Sequence, residues 1–180
     1  MSYKKDSAIY IPILCPQKNM CFDLKRVLDM IKSILESDDL KFIGQNIKYD
    51  ALILKRNNID MHSIYFDTMI AESLISPEKN SYKLDYLSED YLNYKMMPID
   101  DLIGEKPNQI TMKDVPIEDI SYYACEDSDI ALQIYEIQKK ILVDKKLDKL
   151  FYAIEMPLVR VLVNMEYNGV YVDDFVIDQL

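Results

Sequence analysis

Two carboxylates stand where apolar side chains would be expected. In Phe42–Leu54, FIGQNIKYDALIL, a short buried strand is expected to turn at Gly44-Gln45-Asn46 into a helix starting at Ile47, with Asn46 as its N-cap. Ile47, Asp50 and Leu54 share one face of that helix, so the Asp50 carboxylate comes to the edge of a core. Further on, Ile120, Ala124, Asp127, Ala131 and Ile134 form a second stripe that is likewise interrupted by one carboxylate. A carboxylate at a core edge normally finds a cation, a metal or a proton. Tyr123 lies one turn before Asp127, and a tyrosine hydroxyl beside a metal-bound carboxylate can orient an attacking water. Spacing alone leaves the pair Tyr122–Glu126 open as an alternative; the apolar phase favours Tyr123–Asp127. The chemistry that these residues point to is metal-assisted hydrolysis.

The elements that must position them alternate at first and then become helical. Ala8–Leu14 reads as a strand, with Pro12 suited to an edge or a bulge. Leu24, Val27, Leu28, Ile31 and Leu35 mark a helix, and Ile64–Phe66 marks another short strand. Asp67 reads as the N-cap of a helix through Leu74 rather than as a ligand. Leu84–Leu92 is a helix and Ile99–Ile103 a single turn. Asp114, Pro116, Glu118 and Asp119 start a helix that continues to about Lys140. A charged connector follows at Val143–Asp148, and then a long helix, Leu150–Asn168, in which Pro157 should introduce a kink or mark a boundary. Asn168-Gly169 is expected to turn, Tyr171-Val172 to be extended, and Asp173 to cap a final helix. The expected class is α/β, a small sheet covered by helices.

Composition narrows the function. Three glycines in 180 residues leave no GxGxxG or Walker phosphate loop. A net charge of −10 argues against a general nucleic-acid coat protein, but not against an enzyme that meets phosphates through divalent metals. Cys15, Cys21 and Cys125 follow no CxxC spacing and read as three reduced thiols. The polar start and the absence of a long apolar run lead to the expectation of a soluble cytoplasmic protein without membrane contact. The lysines between Lys139 and Lys149 read as a solvated helix end, and His62 as a bystander.

The motifs resemble those of a known family. GQNIKYD at Gly44–Asp50 looks like the second exonuclease motif of family A, the bacterial DNA polymerase I type, and YACED at Tyr123–Asp127 looks like the third. FDTM (Phe66–Met69), GEKPNQITM (Gly104–Met112) and IEMPLVRVLVNMEYNGVYVD (Ile154–Asp173) resemble linking segments in the same order. The resemblance implies a ribonuclease-H-like 3′–5′ proofreading exonuclease fold, an N-terminally truncated mixed sheet flanked by helices. It further implies a partial exonuclease domain over residues 1–146, and over 147–180 the base of the thumb of a polymerase domain. Asp127 would bind one divalent metal and Asp50 a second, with Mg2+, Mn2+ or Zn2+ as the ions. Tyr123 would orient the water, while Gln45, Asn46 and Tyr49 would contact the single-stranded 3′ end of DNA. The first motif of the family, Asp-x-Glu, supplies two further carboxylates and does not occur upstream of Ala8. The metal site is therefore expected to be incompletely liganded and the chain alone inactive. Loss of the central strand is expected to leave the isolated chain molten or aggregating. The alternative is a non-catalytic module that positions DNA.

Overall fold

The computed structural model describes residues 1–171 of the chain. The extended Tyr171-Val172 pair and the cap at Asp173 therefore fall at or outside the limit of the described residues. Two short strands, β1 (Ser2–Lys4) and β2 (Ser7–Ala8), pair antiparallel. The chain then runs through α1 (Leu24–Leu35), β3 (Phe42–Gly44), α2 (Ile47–Arg56), β4 (Ile64–Asp67) and α3 (Thr68–Ile75). After α4 (Leu84–Leu92) and α5 (Ile99–Ile103) comes the long α6 (Ile117–Asp144), followed by α7 (Asp148–Leu150) and α8 (Met156–Asn168). β3 and β4 pair in parallel, with Gly44 opposite Asp67. The strands thus divide into two separate pairs, and helices supply most of the cover.

Two local expectations are corrected and a third takes a definite form. Assigned strand structure stops at Ala8: Ile9 still exchanges backbone hydrogen bonds with Met1 (2.8 and 2.9 Å), but further on Pro12 has no N–H to offer a ladder. Cys15 and Cys21 are not separate thiols: they are paired across a short loop with Cα atoms 6.6 Å apart, and Cys125 alone is free. Pro157 marks a boundary inside the expected helix: a five-residue π-helical segment, Phe151–Glu155, gives way at Met156 to α8, whose first turn holds Pro157.

The main core gathers around Phe66, which is fully buried and meets the rings of Tyr135 and Phe151 at centroid distances of 4.8 and 4.6 Å. Ile47 and Ala51 of α2 join it from one side, and Met156, Val159 and Val163 of α8 from another. The segment after residue 146 therefore shares a core with the segment before it. A smaller cluster, Leu87, Met96, Ile130 and Ile134, holds α4 to α6.

Between α3, α4 and α6 lies a fully buried carboxylate. Glu72 accepts hydrogen bonds from Lys79 Nζ (2.6 Å), Tyr91 Oη (2.5 Å) and Gln138 Nε2 (2.9 Å). Burial alone would push its pKa up, but these donors and the Lys79 charge outweigh it and hold the carboxyl below the ordinary glutamate value. Three helices are tied at this point.

Candidate active site

The turn from β3 to α2 is built on a second buried acid. Asp67, 1% exposed, accepts from the backbone N–H of Met69 (2.9 Å) and Ile70 (3.2 Å), capping its own helix. It also accepts from Asn46 N (3.2 Å) and Ile47 N (2.8 Å), and so caps α2 as well. Asn46 does start the helix, but its side chain makes no cap bond and its backbone is left-handed, φ 55°. The cap comes from across the sheet. Gly44 is needed here for space: a Cβ on it would stand 3.0 Å from that of Ile47.

These supports place the residues singled out from the sequence. Ile47 is buried, Leu54 packs on the core, and Asp50 lies exposed at the rim of the helix face between them. Surrounding protein and the nearby Asp67 charge push the Asp50 carboxyl up to about 6. Gln45 Nε2 donates to Tyr82 O (2.7 Å), and its Oε1 accepts from Thr68 Oγ1 (2.5 Å), so its amide braces the turn. Tyr49 is 61% exposed.

On α6 the stripe is closed at its ends and half-open in its middle. Ile120, Ala131 and Ile134 are buried, whereas Ala124 and Asp127 are partly exposed. Burial, Glu126 and Asp85 push the Asp127 carboxyl up to about 6. Burial, Asp127 and Asp85 raise the neighbouring Tyr123 hydroxyl to about 12. Among the described residues, neither Asp127 nor Asp50 accepts a hydrogen bond from a side chain or joins an ion pair.

The competing pair is engaged elsewhere. Glu126 accepts from Tyr94 Oη (2.7 Å) and from Met97 N (2.9 Å), which fastens α6 to the chain after α4. Its two oxygens are used structurally, and those of Asp127 are not. Asp85, in the first turn of α4, was not singled out from the sequence; a lone acid near a helix start reads as ordinary dipole compensation.

Asp50 and Asp127 have different charged neighbours, Asp67 for the first and Glu126 with Asp85 for the second. Their helices meet at β3, which leads into α2 and packs against α6. Among the described residues no group of three or more His, Cys, Asp or Glu is close enough to hold a metal ion. These residues alone do not complete a metal site.

The raised carboxyls set a pH dependence. An unfolded aspartate titrates near 3.8, so between about pH 6 and 4 the folded chain holds protons that the unfolded chain has lost. The penalty for the charged carboxylates is complete above the folded value and fades as the pH falls. Lowering the pH from about 7.5 to 5 should therefore raise the melting temperature, and Asp50→Asn with Asp127→Asn should flatten that rise and raise the melting temperature at pH 7.5. Equal pH slopes for the two proteins in thermal denaturation would contradict the assignment.

Residues 1–143 match the family model for a 3′–5′ exonuclease of the DNA polymerase A type. DNA polymerase I of Borreliella burgdorferi is 37% identical over 173 residues, which is 96% of this chain and 18% of the relative. Those of Rhizobium leguminosarum and Pseudomonas aeruginosa are each 30% identical, over 98% and 94% of this chain. The chain spans less than a fifth of the length of these relatives. Among solved structures, the polymerase domain of Pol1 from M. smegmatis, in complex with DNA primer-template and dNTP, has a similar fold. The TM-score is 0.70 at 17% identity, over 89% of this chain and 24% of that one. No helix among the described residues is long and apolar enough to cross a membrane.

Proposed function

Since the chain belongs to the 3′–5′ exonuclease family of family A DNA polymerases, we propose that it is the proofreading part of a DNA polymerase I. In this reading it removes the terminal nucleotide from a single-stranded 3′ end by hydrolysis of the last phosphodiester. The observation that carries the reading is the half-open gap in the α6 stripe, where Asp127 has free oxygens beside Tyr123 while Glu126 is fully engaged.

Asp127 and Asp50 would each offer a carboxylate to a divalent metal, Mg2+ with Mn2+ or Zn2+ as alternatives. When bound, two such ions supply positive charge to the phosphate and to the attacking oxygen. The described residues contribute only part of that ligand set. Tyr123 holds the water by its hydroxyl, which stays protonated at neutral pH because its pKa lies near 12. Asn46 and the exposed Tyr49 meet the terminal nucleotides, the latter by stacking. Gln45 acts in the same place by fixing the turn as well as by contact. Residues 147–180 begin the polymerase domain of the same polypeptide, which would act on DNA in the cytoplasm.

The test is hydrolysis of a 5′-labelled single-stranded oligodeoxynucleotide by the longest natural polypeptide that carries this chain. A ladder shortened one nucleotide at a time with Mg2+, and none with EDTA, is the expected result. An intact oligonucleotide that still binds under both conditions would favour the alternative, a module that positions DNA without cutting it.

A further inference from the structure

Asp67 and Thr68 divide the support of the β3–α2 turn between them. Asp67 takes the backbone N–H groups of Asn46 and Ile47. Thr68 serves the first half of the turn: its hydroxyl stands 2.5 Å from Gln45 Oε1 and 3.2 Å from Gly44 O. Tyr82 O can only accept, so Gln45 turns its Nε2 there and leaves Oε1 for the Thr68 hydroxyl. The amide is held in one sense. Thr68 is in turn tied to α6, since Gln138 Nε2 donates to Thr68 O at 3.1 Å and to Glu72 at 2.9 Å. Thr68, Glu72 and Gln138 are fully buried, so none of them can touch a substrate. Gln138 Oε1 meets no donor among the described residues. Both groups facing Nε2 are acceptors, so the amide cannot turn over to pair that oxygen. A buried amide oxygen without a partner is costly, and an apolar side chain of the same length would carry no such cost. What the glutamine supplies is a donor that fixes Thr68 to the helix of Tyr123 and Asp127.

We propose that Thr68 and Gln138 are positioning residues for the contacts with the strand end: Gln138 holds Thr68 to α6, and Thr68 holds the Gln45 amide. The proposal rests on the exonuclease reading, in which Gln45 and Asn46 meet the terminal nucleotides. The path from Gln138 through Thr68 to Gln45 leaves Tyr123 and Asp127 untouched. Its loss therefore falls on strand binding rather than on hydrolysis.

The test is steady-state hydrolysis of a single-stranded oligodeoxynucleotide with Mg2+, again by the longest natural polypeptide. Thr68→Val keeps the shape of the side chain and removes the hydroxyl. It should raise KM about tenfold, the strength of one hydrogen bond, with kcat changed by less than about twofold. Thr68→Ser, which keeps the hydroxyl, should restore KM. In a Gln45→Ala background Thr68→Val should add less than about twofold, because the group it acts through is gone. Gln138→Met leaves the residues of the turn intact and repeats the test should Thr68→Val unfold: KM should rise about threefold. A merely structural part would appear as a lower melting temperature with KM unchanged. An unchanged KM in the folded variants, or a rise as large in the Gln45→Ala background, would overturn the proposal while leaving the exonuclease reading intact. A wild-type protein that leaves the oligonucleotide whole would overturn both.

Discussion

Asp127→Ala in the longest natural polypeptide is expected to lower release of 3′ nucleotides by about a thousandfold or more, with polymerisation unchanged. The substitution removes a carboxylate whose oxygens are free and whose charge is already disfavoured by burial, Glu126 and Asp85. It also puts a better helix former inside α6. The melting temperature at pH 7.5 should therefore stay level or rise. That separates a catalytic part from a structural one, since a structural carboxylate would lose stability and both activities together. Glu126→Ala should show the reverse pattern: α6 loses its ties to Tyr94 and Met97, and stability falls while hydrolysis is reduced far less. If both variants lose hydrolysis equally at unchanged stability, the choice of Tyr123–Asp127 over Tyr122–Glu126 is wrong.

Glu72→Ala should produce the largest loss of stability, about 3 kcal/mol. The change leaves Gln138 and Tyr91 without their acceptor inside the protein, and Lys79 without its buried partner. Lys79 is partly exposed and keeps Asp90 at 2.8 Å, which places the expected value at the lower end of the range for breaking a buried pair. For a chain of this size the melting temperature should fall by about 6–12 °C. The pH behaviour supplies a check. A carboxyl held below its ordinary value contributes stability above its unfolded pKa of 4.5, and loses it as the pH falls through the folded value. Wild type and Glu72→Ala should therefore converge in stability in strong acid. A denaturation midpoint shifted by under about 1 kcal/mol at pH 7 would show that the network holds little.

The amphipathic helices were legible because their signal is local. Periodicity marked α1, α2, α4 and α6, and Ile47, Ile120, Ala131 and Ile134 are buried as their spacing requires. Two short motifs in the right order pointed to the exonuclease family, and residues 1–143 belong to it. The cap at Asp67 is legible too, since strand, Asp and helix follow one another directly.

Partners far apart in sequence were not legible. That Asp67 also caps α2 depends on β3 lying beside β4, some twenty residues apart in the chain. Glu72 and Gln138 look like ordinary polar residues on their own helices, and they meet only because α3 packs on α6. Asp127 and Glu126 are adjacent, and nothing in their spacing says which one Tyr94 and Met97 will occupy. Ala8–Leu14 has the composition of a strand, but a strand exists only where another backbone offers its hydrogen bonds. Periodicity is carried by each segment alone, whereas an acid's partners and its pKa belong to whatever the other segments bring beside it.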